Sequence, residues 1–212
     1  MSRTRVKFCG MTRVEDAMMA AAMGVDAIGL VFTARSRRFL AIDRARAIRA
    51  AIPPFVDVVA LFMDDDAAWV EEVVAQVRPD FLQFHGSEPA EACRAFDTPY
   101  FKAIAMGDTA TPARDLDDYA DAAALLLDGH VPGEGGGSGQ TFDWTRVPSG
   151  HKQPLVLAGG LHAQNVGEAI ARVRPWAVDV ASGIEAAPGI KDPAAMRAFL
   201  DAVHAADRHP TD

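Results

Sequence analysis

The sequence predicts a (β/α)8 barrel, and three observations carry that reading. Eight short β-rich runs alternate with helical stretches from end to end. Several of these runs are continuously apolar, as parallel strands covered on both faces are. No Gly-x-Gly-x-x-Gly turn follows the first run, which weighs against the open doubly wound sheet that shares the same alternation. At 212 residues the chain lies near the short end of the barrel range. No linker-like stretch divides it, so residues 1–212 read as one barrel domain with a short disordered tail at about 207–212.

The predicted strands are Arg5–Cys9, Ala27–Phe32, Val56–Phe62, Phe81–Phe84, Phe101–Ala105, Ala124–Asp128, Leu155–Ala158 and Ala177–Val180. Helical character lies between them at Val14–Met23, Asp43–Ala51, Ala67–Val77, Pro89–Phe96, Pro112–Tyr119, Ala163–Val173 and Pro193–Ala206. The crossover from Gly129 to Pro154 is glycine-rich, with a short helix at most near Asp143–Val147. Thr12, Asp64–Asp66 and Ser87-Glu88-Pro89 stand where helix starts need capping groups. Gly24 follows the first helix where a left-handed cap belongs.

Composition narrows the function classes. A formal net charge of −8 argues against general attraction to nucleic acid or anionic membrane. It leaves room for a local basic pocket, which Arg35-Ser36-Arg37-Arg38 can supply. No segment approaches the roughly 18 uninterrupted apolar residues of a membrane span, and no signal-peptide core follows the basic start. Cys9 and Cys93 are the only cysteines, so neither a disulfide framework nor metal-type Cys spacing is present. A cytoplasmic protein is expected.

Barrel enzymes place their chemistry in the loops after the strands. Those positions here hold Cys9-Gly10, Arg38, Met63-Asp64, Gln83-Phe84-His85-Gly86, Asp128-Gly129, Gly159-Gly160 and Ser182-Gly183. Cys9 can act there as nucleophile or as general base, although only a few per cent of an ordinary thiol with pKa about 8.5 is ionised at pH 7. Asp128 ends the apolar run Ala124–Leu127, where a desolvated carboxyl can hold a proton and serve as general acid. Gly135–Gly139 can turn several backbone N–H groups toward an anion, and Gly159-Gly160 and Ser182-Gly183 follow strands seven and eight, where barrels hold phosphate. Arg38 is a fixed cation whose fork suits a carboxylate. His85 reads as a ligand, an acid–base group or a polar rim residue. Nothing clusters at metal-ligand spacing, so no metal is expected.

Further motifs stand in order along the chain. They are Lys7-Phe8-Cys9-Gly10-Met11-Thr12, Phe32 through Arg38, Leu82-Gln83-Phe84-His85-Gly86, Leu126-Leu127-Asp128 and Gly136-Gly137-Ser138-Gly139 with Phe142-Asp143-Trp144. Leu157–Leu161, Asp179–Glu185 and Pro188–Asp192 complete the series. In this order the chain resembles the phosphoribosylanthranilate isomerases of tryptophan biosynthesis over almost its whole length. That resemblance implies a TIM barrel carrying out an Amadori rearrangement of N-(5-phosphoribosyl)anthranilate without a cofactor. It implies Asp128 as the acid that protonates the furanose oxygen and Cys9 as the base that removes the C2′ proton. It implies Arg38 on the anthranilate carboxylate, with Gly137, Ser138, Gly139, Gly159, Gly160, Ser182 and Gly183 around the phosphate, and His85 and Asp179 in support. Arg37 replaces a proline common in the family, so either arginine can be the one that grips the carboxylate, and Ala181 replaces a serine. The implied partner is a small phosphosugar, with no nucleic acid or membrane, and the protein a monomer or homodimer. Another phosphosugar isomerase, epimerase or aldolase on the same barrel is the alternative enzyme, and a non-catalytic phosphate-binding scaffold the alternative class.

Overall fold

The apolar runs close on one another. The computed structural model describes residues 3–107, 116–129, 141–148 and 152–208. Strands β1 (Arg5–Phe8), β2 (Ala27–Val31), β3 (Asp57–Phe62), β4 (Phe81–Phe84), β5 (Tyr100–Ala105), β6 (Ala124–Asp128), β7 (Leu155–Leu157) and β8 (Ala177–Val180) form a closed barrel in sequence order. β8 returns to β1 in register, pairing Arg5 with Ala177 and Phe8 with Val180. All barrel pairings are parallel.

The pleat sorts each strand into two faces. Leu125 and Leu127 point out to the helices, where they join Phe8, Phe32, Phe62 and Phe199 in the main core. Each such wholly buried phenylalanine contributes about 1.5–3 kcal/mol of transfer free energy. Leu126 points inward with Ala103, Ala124, Val156, Ala158 and Ala177, filling the barrel with small aliphatic groups. The same alternation carries Asp128, Asp179, Lys7 and Cys9 to the inside, near the carboxyl ends. Lys102 falls on the outward face of β5, where it pairs with Glu88 at 2.9 Å.

Helices α1 (Val14–Met23), α2 (Ile42–Ala51), α3 (Ala67–Val77), α4 (Ala90–Cys93), α5 (Val166–Val173) and α6 (Pro193–Arg208) cover the outside. Gly24 takes the predicted left-handed cap, at φ 89°. The segment predicted as one helix from Pro89 to Phe96 is divided between α4 and a 3-10 turn, Arg94–Phe96. Trp144–Arg146 forms a 3-10 turn inside the weak stretch of the sixth crossover. Residues 116–118 are helical, and the rest of the predicted Pro112–Tyr119 helix before them lies outside the described residues.

Two capping expectations need correction. Thr12 does not cap α1; its hydroxyl donates to the Gly189 carbonyl instead. Asp66 stands at the N-cap of α3 as expected but makes no side-chain capping bond, and Asp64 and Asp65 accept from the backbone of Ser87 and Met63 instead. α6 runs through Arg208, and Asp207 accepts from the backbone and hydroxyl of Thr4, which ties the helix to the start of the barrel. A short antiparallel hairpin, β9 (Glu185–Ala187) and β10 (Ile190–Lys191), lies between β8 and α6, where no strands were predicted.

Candidate active site

A cavity of about 500 Å³ opens at the carboxyl ends of the strands. Cys9, Arg37, Arg38, His85, Asp128, Gly159, Gly160, Asp179 and Ser182 all line it, so the structure brings most of the predicted residues to one chamber. Gly183 is not on its wall. It packs against the Leu161 carbonyl so closely that no Cβ fits, which lets the loops after β7 and β8 touch. Gly137, Ser138 and Gly139 lie outside the described residues.

Cys9 follows β1 directly and is clamped through its backbone. Its N–H donates to the Val180 carbonyl at 2.8 Å, and its carbonyl accepts from Lys191 Nζ at 2.6 Å. The side chain is 5% exposed. Burial pushes the thiol pKa up, and the Asp179 carboxylate adds to this, while the ammoniums of Lys7 and Lys191 pull the other way. The net direction is upward. Lys7 is as deeply buried, and its Nζ donates to Asp179 Oδ1 at 2.8 Å.

Asp128 ends β6 and is 6% exposed. His85 Nε2 stands 3.3 Å from its Oδ2. The other imidazole nitrogen lies 3.0 Å from the Gln83 amide nitrogen. An amide nitrogen only donates, so with this contact Nδ1 is the accepting nitrogen and Nε2 the one that faces Asp128. The series Gln83–His85–Asp128 therefore sets an imidazole beside a buried carboxyl group at the cavity wall.

Arg38 is brought in by the loop after β2, which folds back so that Leu40 N–H reaches the Val31 carbonyl at 2.9 Å. Its fork is already engaged. Nε and Nη2 donate to the two Glu185 oxygens at 2.8 and 2.7 Å. Glu185 does not engage the edge formed by Nη1 and the second Nη2 hydrogen. Glu185 also accepts from Lys191 Nζ at 2.9 Å and from Gly189 N–H at 3.2 Å. Burial raises the Glu185 pKa, but the two cations outweigh it and hold the carboxyl below the usual range. Arg37 is exposed at the rim.

The Asn165 side chain ties the loop after β7 together at two points. Asn165 Oδ1 accepts from His162 N–H at 2.8 Å and its Nδ2 donates to the Gly160 carbonyl at 3.0 Å. Gly159 and Gly160 are both at positive φ, 81° and 62°.

The comparisons with known proteins agree with this geometry. Residues 6–202 match the profile of the N-(5′-phosphoribosyl)anthranilate isomerases. The chain belongs to that family. The N-(5′-phosphoribosyl)anthranilate isomerase of Stenotrophomonas maltophilia strain R551-3 is 53% identical over 97% of this chain and 95% of its own length. The phosphoribosylanthranilate isomerase of Thermotoga maritima superimposes with a TM-score of 0.86 at 39% identity, covering 95% of this chain and 99% of that one. Another solved isomerase, in complex with reduced 1-(o-carboxyphenylamino)-1-deoxyribulose 5-phosphate, superimposes with a TM-score of 0.81 at 35% identity over 95% and 99% of the two chains.

Within this isomerase barrel, sequence reasoning placed Glu185 and Lys191 in motifs but gave neither a role. They arrive on the hairpin β9–β10, whose strands are too short to show a period. The turn residues Pro188-Gly189 between them are the signal that could have found it. Gln83 and Lys7 were readable from another cue, a polar side chain within an otherwise apolar run.

Proposed function

We propose that Cys9 and Asp128 carry out the isomerisation of N-(5′-phosphoribosyl)anthranilate as a general base and general acid. Their placement in one chamber on β1 and β6, far apart around the barrel, carries this reading. A substrate bound between them presents its ring oxygen to one and C2′ to the other. Asp128 gives a proton to the furanose oxygen and the ring opens to a protonated Schiff base. Cys9 then removes the C2′ proton, and the electrons of that C–H bond form an enolamine. Tautomerisation leaves a ketone at C2′ and a CH2–NH group at C1′, so carbon two is oxidised and carbon one reduced within one molecule. The balance needs no external oxidant or reductant.

Arg38 binds the anthranilate carboxylate through its Nη1/Nη2 edge, and this favours Arg38 over the exposed Arg37. The phosphate sits at the opposite side, against the backbone of Gly159, Gly160 and Ser182. Gly137, Ser138, Gly139 and Gly183 belong to the same proposed phosphate region on the strength of their motifs. The ligand is a small phosphosugar. A net charge of −8 fits a cytoplasmic enzyme with no nucleic-acid or membrane partner, and among the described residues no helix is long and apolar enough to cross a membrane. The oligomeric state proposed is a monomer or a homodimer.

The test follows the loss of phosphoribosylanthranilate fluorescence with purified protein. Wild type should turn over, while Cys9→Ala and Asp128→Asn should each lose about 10²–10⁴-fold in kcat. Unimpaired variants would remove the assigned roles.

A further inference from the structure

Lys7 is a buried charged group behind the chamber wall, bonded to Asp179, that the steps above do not use. It stands two residues before Cys9, so the pleat of β1 puts both side chains on the inward face. Gly29 of β2 lies beside them. A Cβ there would come 2.6 Å from Cys9 Sγ and 3.0 Å from Lys7 Nζ. The thiol and the ammonium therefore share a niche that exists because position 29 has no side chain. Lys7 is 3% exposed, and Asp179 fixes its Nζ from β8 at 2.8 Å. A buried ion pair is no better for stability than well-packed apolar groups, so packing does not account for a cation at this point.

We propose that Lys7 is a positioning residue for the base: its ammonium, pinned by Asp179, stabilises negative charge on the Cys9 sulfur and so sets how much thiolate the enzyme works with. The other charged groups facing Cys9 are Lys191 on β10 and Arg38 from the loop after β2, with Glu185 paired to both and Asp128 and His85 on the same cavity wall. Burial raises the thiol pKa, Lys7 is the largest influence opposing it, and Asp179 acts with burial. The two partners of one ion pair thus push Cys9 in opposite directions. A structural role for the pair has no such sign.

The inference rests on the reading of Cys9 as the general base, and two readouts separate them. In a Cys93→Ala background, the rate of Cys9 alkylation by iodoacetamide is measured against pH, alongside the rising limb of kcat/KM. Lys7→Met should move both midpoints up by about one unit, slowing alkylation about tenfold at a pH below the midpoint. Asp179→Asn should move both down. An unmoved midpoint in Lys7→Met, or shifts of the same sign in both variants, overturns the proposal. If Lys7→Met does not fold, the neutral pair Lys7→Met/Asp179→Asn replaces it. Its midpoint should stay above wild type because the influence of Lys7 is the larger, and a midpoint at or below wild type overturns the proposal. If alkylation shifts while the kcat/KM limb stays, the charge coupling stands and Cys9 is not the base, which overturns the catalytic claim through the reading beneath it.

Discussion

Glu185 accepts from Arg38 through both oxygens and from Lys191 through one, and its side chain is 5% exposed. Removing the charge leaves two largely buried cations facing a neutral amide, which costs about 3–5 kcal/mol. Glu185→Gln should therefore lower the thermal midpoint by roughly 10 °C. It should also raise KM more than it lowers kcat, because Arg38 loses the partner that aims its free edge. Calorimetry with steady-state kinetics checks both, and an unchanged midpoint would remove Glu185 from this role. Single residues were legible in the sequence where their type conflicted with their surroundings. Cys9 and Asp128 each end an apolar run, and that conflict was visible without coordinates. Glu185 sits among small residues with no such conflict. Its importance comes from Arg38, 147 positions away, and a pairing over that distance leaves no local trace.

At the scale of elements, the loop after β7 owes its shape to the last residue of the turn into α5. Asn165 joins the His162 N–H to the Gly160 carbonyl. Asn165→Ala removes both bonds, for about 1–3 kcal/mol of stability, and frees the Gly159-Gly160 backbone that the proposed function assigns to phosphate. KM should rise about tenfold with kcat within a factor of about three, the signature of lost uniform binding. An equal fall in kcat and kcat/KM would place the loop in the chemistry instead. The barrel strands were legible to within one residue at each end, since their continuous apolar runs reflect cover on both faces. Helix starts were less so. α5 begins at Val166 rather than Ala163 because His162–Asn165 form a turn closed by a side chain, and propensity does not register such a closure.

The whole molecule keeps its thiols and a phenol neutral inside. Cys93 is 0% exposed, and burial pushes its pKa from an ordinary value near 9 up to about 12. Burial, and then the Asp121 carboxylate, push Tyr100 in the same direction. The acids Cys9, Cys93 and Tyr100 thus bind protons more tightly when folded than when unfolded. Their contribution is fully present below the unfolded thiol range, and it is lost as pH rises toward the folded values. The acidic chain gains further negative charge over the same window, so a falling stability curve in wild type does not isolate the thiol. The comparison with Cys93→Ala does. At neutral pH that variant should be less stable, because it loses buried sulfur. Between pH 9 and 10.5 its urea midpoint should fall less steeply than that of wild type. The difference between the curves should reach about 2 kcal/mol, following 1.36 kcal/mol per pKa unit. Parallel curves would mean that Cys93 ionises as readily in the folded protein as in the unfolded chain, and that the barrel wall around α4 admits water.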